Sequence, residues 1–167
     1  MGQTIEQFGA QCHDILKQNP DMTGLEQVRE NLEKMLLDEA FLATHLGPDA
    51  DEPRKIIYED PELKFCILAH VFKGSSESPP HDHGPTWAIY GQAKGTTLMT
   101  EYEIVAAPAG EKPGQVQAFK SYDLEPGMAV AYDAGQVHSP KREGETRLIR
   151  IEGVNVTTVK RTPYELV

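Results

Sequence analysis

Long apolar runs, cysteine and positive charge are all scarce in this sequence of 167 residues. No apolar run approaches the roughly 20 residues of a membrane-spanning helix, so we expect no membrane partner. The first residues lack a basic segment followed by an apolar stretch, which favours a cytoplasmic protein over a secreted one. The two cysteines, Cys12 and Cys66, form no CxxC pair and fit free thiols in a reducing compartment.

The charge balance is acidic, with 16 Lys and Arg against 26 Asp and Glu and a formal net charge of −10. A chain of this charge is repelled by phosphate backbones and anionic lipids, so we expect no nucleic-acid partner. A small-molecule substrate stays open, because a buried site makes its own local field. The length fits one domain with a core of its own.

Residues 1–50 have the apolar spacing of helices and are predicted to belong to the same domain as the rest. Over residues 4–19 an apolar stripe recurs at helical spacing and Pro20 ends it. Thr23 and Glu26 then form the pattern of a capping box. The second apolar stripe continues to about Leu46, before Gly47-Pro48. The sequence therefore predicts two helices packed outside the remaining structure.

Residues 51–167 change character to short β-branched and aromatic runs separated by Gly and Pro clusters. Such spacing predicts a mainly β sandwich or barrel. The predicted strands are residues 64–72, 86–90, 95–105, 116–122, 128–132 and 146–158. Residues 160–167 form either a tail or one more strand.

Three histidines provide the strongest indication of chemistry. His81-Asp82-His83 follows a Pro-rich loop, and in a strand the two imidazoles would point to the same side. His138 comes just after a turn at Gly135. Three neutral imidazoles with open coordination positions would form a reactive metal centre. Imidazole suits Fe, Ni, Cu and Zn alike, so the ligand type does not choose the ion.

These histidines lie in two segments that resemble the two motifs of the cupin superfamily, in the same order and over about residues 55–155. The matching residues are Gly74, His81, His83 and Gly95 in the first motif and Gly127, Asp133, Gly135 and His138 in the second. The second motif usually has Pro where this chain has Asp133. The resemblance implies a double-stranded β-helix, a jelly-roll barrel that holds one divalent metal ion through His81, His83 and His138.

Many cupins add a Glu ligand five positions after the second histidine, where this chain has Ala88. A cupin with three His and no carboxylate resembles the thiol dioxygenases, such as cysteine dioxygenase and 3-mercaptopropionate dioxygenase. The segment from Lys64 to His83 resembles the equivalent part of cysteine dioxygenase. The resemblance implies an Fe(II) oxidoreductase that adds both atoms of O2 to a small thiolate. Zn, Ni or Mn are the alternative ions.

The likeness is incomplete beyond the ligands. Leu148, Arg150 and Glu152 occupy the positions of a Ser-His-Tyr set in that family, and the arginine for a substrate carboxylate would fall near Arg54 or Lys55. Arg150 and Glu152 share one strand face and could orient a carboxylate and move a proton. The alternatives are an ion pair at the barrel mouth or a register that turns both outward.

Tyr90 shares a strand face with Ala88. It is either a catalytic group near the metal or part of the barrel core.

Three functions remain open from the sequence. The first is a non-heme Fe(II) dioxygenase of a small thiol or related anion. The second is a redox-neutral metal enzyme (a lyase, isomerase or hydrolase) in which the ion is a Lewis acid. The third is a cupin that binds a metal or ligand without turnover. A monomer or homodimer is expected, since pairing would cover strand edges.

Overall fold

The computed structural model describes residues 2–167, so Met1 lies outside the described residues. Three helices come first, α1 (Ile5–Gln18), α2 (Met22–Met35) and α3 (Glu39–Leu46). Ten strands follow: β1 (Lys55–Glu59), β2 (Cys66–Phe72), β3 (Ser76–Glu77), β4 (Ala88–Lys94), β5 (Thr97–Ala106), β6 (Gly114–Leu124), β7 (Ala129–Tyr132), β8 (His138–Arg142), β9 (Thr146–Glu152) and β10 (Tyr164–Leu166). A short 3-10 helix, Val156–Thr158, lies between the last two strands.

The prediction of two helices is wrong, because the second apolar stripe is divided between α2 and α3. The division falls at Asp38, whose carboxylate accepts hydrogen bonds from the backbone N–H groups of Ala40 and Phe41. A carboxylate in this position satisfies the free N–H groups of a new first turn. Phe41 and Leu46 are nevertheless buried with the residues of α2. The apolar pattern therefore continues across the point where one helix ends and the next begins.

The predicted cap of the second helix is also wrong by two residues. Asp21, not Thr23, is the N-cap of α2 and accepts hydrogen bonds from the N–H groups of Thr23 and Gly24. A capping box does occur, but at α1. There Thr4 and Gln7 bond each other's backbone N–H groups reciprocally.

The strands form two five-stranded sheets. The first has the order β1-β2-β9-β4-β7 and its pairs are antiparallel. The second has the order β10-β6-β5-β8-β3, antiparallel except for the parallel pair of β10 with β6. The crossovers between sheets are those of a jelly-roll barrel. The predicted fold class, a mainly β barrel with helices packed outside, is confirmed.

Several strand boundaries differ from the prediction. Strands β1, β3 and β8 were not predicted, and the last residues do contain a strand, β10. Strand β9 ends at Glu152 rather than at residue 158, because the chain turns there into the 3-10 helix. Pro140 in the middle of β8 is unusual for a paired strand. Because of this proline, the sequence analysis did not predict β8, the strand that has His138 at its first position.

The helices cover the outer face of the first sheet. Outward side chains of β2, β4 and β9, such as Ile67, Ile89 and Ile151, form one buried apolar cluster with helical residues that include Phe8 and Leu32. Within residues 2–167, no helix is both long and apolar enough to cross a membrane.

Candidate metal centre

The three predicted histidines are brought together at one end of the barrel interior. His81, His83 and His138 are all buried, and one ring nitrogen from each lies within 4.8 Å of the others. The rings of His81 and His83 are nearly parallel, with centroids 5.4 Å apart. The His138 ring lies across them, 4.8 Å from His81 and 5.0 Å from His83. The group could therefore hold one metal ion.

The sequence prediction placed the histidine pair in a strand, and that detail is wrong. His81 forms an isolated bridge to His138, with both backbone N–H···O distances at 2.9 Å, and His83 lies in a loop. Asp82 is buried and accepts hydrogen bonds from the N–H groups of Gly84 and Thr162. The loop is thus held by its own acidic residue and by the bridge to β8.

Glycines shape the turns on both sides of the centre. Gly84 follows His83 with a φ of +63°, and a Cβ at this position would lie 2.2 Å from the carbonyl oxygen of Lys160. Gly135 has a φ of +80° in the turn that leads into His138. Positive φ values are accessible to glycine without steric cost. These turns aim the two histidines at the same point.

Backbone carbonyls fix which nitrogen two of the three rings offer. The Nδ1 of His81 lies 2.9 Å from the carbonyl oxygen of Pro79, and the Nδ1 of His138 lies 3.0 Å from that of Gln136. A carbonyl can only accept, so Nδ1 carries the proton and Nε2 keeps its lone pair. The Nδ1 of His83 is buried without a hydrogen-bond partner. The donor set fits a divalent transition ion bound through Nε2 atoms.

Burial and positive neighbours keep the imidazoles neutral. Burial lowers the pKa of His81 to about 4 and that of His138 to about 3. Burial and the guanidinium of Arg150 hold the pKa of His83 far below its usual value. A neutral imidazole is the form that binds a metal. The three imidazoles are therefore in the neutral form at neutral pH, and a metal ion does not have to displace a proton in order to bind.

Tyr90 points into this centre. Its hydroxyl lies 2.8 Å from Nε2 of His83 and 3.0 Å from Nε2 of His138. The side chain is fully buried, and burial raises the pKa of its hydroxyl. Ala88, at the position of the usual Glu ligand, lies in the same inner cluster. The phenol of Tyr90, rather than a carboxylate at position 88, therefore lies beside the histidines.

Arg150 and Glu152 face the barrel interior, so the alternative of an outward register does not hold. They alternate on β9 with Ile149 and Ile151, which point toward the helices. Arg150 lies beside Tyr90 in the register of β9 with β4, and its guanidinium carbon lies 5.3 Å from the Tyr90 ring centroid.

Glu152 is fully buried and has an arginine on each side. Arg54 binds it with both terminal nitrogens, at 2.8 and 2.9 Å, and Nε of Arg150 donates to it at 2.8 Å. The backbone N–H of Val156 donates a further hydrogen bond at 3.0 Å. Of the two residues expected near a substrate carboxylate, Arg54 is therefore already paired, and Lys55 is exposed.

Sequence reasoning gave no role beside the histidines to Tyr132, which it assigned to the core, or to Arg142. The Tyr132 ring stacks on His138, with centroids 4.0 Å apart and 7° between the planes. Arg142 lies on β8, four residues after His138, and is buried. Residues four apart in a strand share a face. If β8 had been recognised as a strand, the position of Arg142 would have predicted a side chain on the same face as His138.

Comparisons with known proteins show a likeness of fold alone. No family model and no curated protein sequence matches the chain. Among solved structures, a cupin-2 domain protein from Shewanella frigidimarina is 14% identical with a TM-score of 0.48, covering 70% of this chain and 96% of its own. A cupin superfamily protein from Desulfitobacterium hafniense is 13% identical with a TM-score of 0.46, covering 64% and 84%. KdgF from Halomonas sp. is 20% identical with a TM-score of 0.42, covering 59% and 74%.

Proposed function

We propose that this protein is a metal-dependent cupin enzyme and that its reaction is an Fe(II)-dependent dioxygenation of a small anionic substrate, a thiolate first of all. The observation that carries the proposal is the cluster of three buried, neutral imidazoles with no carboxylate among them. Such a set leaves the full 2+ charge of an ion uncompensated and leaves coordination positions open. An anionic substrate and O2 are ligands that suit those positions.

The chain's own residues would bind and orient the substrate. His81, His83 and His138 would hold the ion, which as Fe(II) supplies the electrons that activate O2. Both oxygen atoms would be added to the thiolate sulfur, so that RS⁻ and O2 give the sulfinate RSO2⁻. Arg150, which leans over Tyr90, would supply positive charge beside the substrate. The stacked Tyr132 ring limits how His138 can turn.

The test begins with protein purified without oxygen and without added metal. We expect about one Fe per chain, and O2 uptake when small thiols such as cysteine, cysteamine or 3-mercaptopropionate are added, with one sulfinate formed per O2 consumed. The variant His138→Ala is the control for adventitious iron. Bound iron with no thiol-dependent O2 uptake would contradict the dioxygenase proposal while leaving the metal centre standing.

A second candidate, redox-neutral metal chemistry, is favoured by the position of Tyr90. Its hydroxyl lies within hydrogen-bond distance of two of the three Nε2 atoms, where it could hold or pass a proton to a coordinated substrate. In this case the ion would act as a Lewis acid, and activity would survive replacement of iron by Zn(II) or Mn(II).

Tyr90→Phe tests whether the Tyr90 hydroxyl carries a proton in the reaction. Loss of a proton carrier is expected to lower kcat about 100-fold or more, with metal content unchanged. Tyr132→Phe is the matched control, because it removes a hydroxyl that bonds Tyr122 rather than the histidines. Equal activity of both variants and the wild type would assign Tyr90 to the barrel core.

A further inference from the structure

Glu101 is a buried carboxylate beside the histidine centre. Buried residues alternate along the first part of β5, and Glu101 comes two positions after Met99, which packs in the inner cluster with Tyr90. In the register of β5 with β8, Glu101 lies directly opposite His138. Opposite residues of an antiparallel pair have Cβ atoms about 4.5–5.5 Å apart. The carboxylate is therefore a neighbour of one candidate ligand, although it is not in the group of three that could hold the ion.

Hydrogen bonds join Glu101 to His138 through one intervening residue, Gln136. Oε1 of Glu101 accepts from Nε2 of Gln136 at 3.3 Å, and the backbone carbonyl of Gln136 accepts from Nδ1 of His138 at 3.0 Å. The amide oxygen of Gln136 also accepts from the backbone N–H of Asp133 at 3.1 Å, so the Gln136 side chain is held at both of its polar atoms. The hydroxyl of Tyr122 donates to Oε2 of Glu101 at 2.7 Å and fixes the carboxylate.

Glu101 has no cation that balances its charge. Within residues 2–167 it takes part in no salt bridge. Lys120, its cross-strand neighbour on β6, is exposed and lies over the Tyr122 ring, 5.3 Å from the centroid. The buried carboxylate of Glu152, by contrast, is bound by two arginines. Burial of an anion without a cation is costly.

The histidine centre has the complementary deficit. Three neutral imidazoles would leave the charge of a divalent ion unbalanced by its ligands. An unpaired anion and a site for an unbalanced cation thus lie on neighbouring strands, joined through Gln136. Each of the two features gives a physical reason for the other.

Building on the proposed metal-dependent function, we propose that Glu101 is a positioning residue of the metal centre, which orients His138 through Gln136 and offsets part of the charge of the bound ion from outside the ligand set. Many cupins have a carboxylate among the ligands, at the position that Ala88 occupies here. A carboxylate that lies behind a ligand leaves the open coordination positions free for a substrate. Outer partners of this kind raise the basicity of the ligand and the affinity for the metal.

The experiment measures metal binding without turnover. Metal-free protein is titrated with Co(II), without oxygen and in competition with a chelator, because the visible absorption of Co(II) depends on the arrangement of its ligands. Glu101→Gln keeps the size of the side chain and removes its charge. We expect it to weaken Co(II) binding about 10- to 100-fold and to change the absorption of the saturated protein. Glu103→Gln is the matched control, because it makes the same change at an exposed position of β5 and should bind like the wild type.

Three further measurements distinguish positioning from a purely structural role. Gln136→Ala removes the contact with Glu101 but keeps the backbone carbonyl, so it should lose part of the affinity, and it tests the same link if Glu101→Gln does not fold. Glu101→Asp keeps the charge and should bind Co(II) more tightly than Glu101→Gln. In iron-loaded protein, Glu101→Gln should raise the Fe(III)/Fe(II) reduction potential, because a nearby anion stabilises the more highly charged ion.

Equal Co(II) affinity and absorption in Glu101→Gln and Glu103→Gln would overturn the proposal. A lower Tm of metal-free Glu101→Gln with unchanged Co(II) affinity and absorption would also overturn it and would assign Glu101 a structural role. Failure of the wild type to bind Co(II) would overturn the proposal together with the metal centre. Absence of thiol-dependent O2 uptake bears on the dioxygenase proposal alone, since this titration needs no oxygen.

Discussion

The two faces of the first sheet are built from the same strands but differ in composition. On β9 the outward residues include Ile149 and Ile151, which are fully buried against the helices. The inward residues of that strand include Arg150 and Glu152, next to Tyr90 of β4. Alternation along each strand thus assigns one set of side chains to an apolar core and the other to a polar interior.

This difference indicates where stability and chemistry reside. The outer face is mostly apolar, because the backbone hydrogen bonds of the sheet are already made and the helices supply apolar surface. Its arginine on β9, Arg147, donates to the carbonyl oxygens of Leu46 and Gly47 at the end of α3. The barrel interior contains buried polar atoms without a hydrogen-bond partner on His70, on His83 in its loop and on Arg142 of the second sheet. On the outward face of β9, Nε of Arg147 is also buried without a partner. Natural folds tolerate such groups mainly where function requires them. Substitutions on the two faces should therefore have separable effects.

The largest expected effect is on metal binding, from His138→Ala. Loss of an outer hydrogen-bond partner of a ligand costs about 10- to 100-fold in metal affinity, and loss of the ligand itself should exceed that. We expect metal analysis to find less than a tenth of the wild-type content, roughly, with the Tm of the metal-free protein changed little. Metal content equal to wild type would contradict the assignment of His138.

Ile151→Ala is the matched change on the outer face. It removes buried methyl groups from the cluster under the helices, which costs about 2–5 kcal/mol of unfolding free energy. The folded fraction should keep its metal affinity, because the side chain points away from the histidines. A joint loss of stability and metal affinity would show that the two faces are not separable.

A loss of stability similar to that of Ile151→Ala is expected from Glu152→Gln at neutral pH. The substitution leaves the guanidinium groups of Arg54 and Arg150 without their anion, which costs about 3–5 kcal/mol for a buried pair. Burial alone would raise the pKa of Glu152, but the hydrogen bond from Arg54 and the charge of Arg150 lower it to about 2.

The pH dependence of this difference has a definite sign. A folded-state pKa below the unfolded value of 4.5 gives stability that is present above that value. It is lost as the pH falls from about 4.5 toward about 2. Urea unfolding at a series of pH values should therefore show the wild type approaching Glu152→Gln in stability as the pH falls. A gap between the two proteins that stays constant down to pH 2 would contradict the ion pair.

The fold and the ligands could be predicted because their signals are local or repeated. The alternation of apolar residues gave most strands, and the two motifs around His81 and His138 gave the centre. The contact of Arg142 with Phe72 could not be predicted, because it joins strands from different sheets that are far apart in the chain. The pairing of Arg54 with Glu152 is likewise a contact across 98 positions, which no local pattern contains.

The helix boundaries failed for a different reason. Both Asp21 and Thr23 are competent caps, and both stand just before the apolar stripe of α2. The match of Thr23 with Glu26 to a capping box favoured the wrong one. Similarly, the apolar spacing continued across Asp38, because α2 and α3 bury their apolar residues in the same cluster. Periodicity reports which side is buried and does not report where the backbone turns.

The smallest expected effect concerns that cap, at a distance from both faces of the sheet. Asp21→Ala removes the acceptor for the N–H groups of Thr23 and Gly24 and should lower the free energy of unfolding by about 1 kcal/mol. Thr23→Ala changes an exposed side chain inside the first turn, so it should shift stability by less than about 0.5 kcal/mol. Thermal or urea unfolding of the two variants measures the difference, and metal content should be equal in both. A larger loss from Thr23→Ala than from Asp21→Ala would support Thr23 as the N-cap, as predicted from the sequence. It would contradict the start of α2 at Met22.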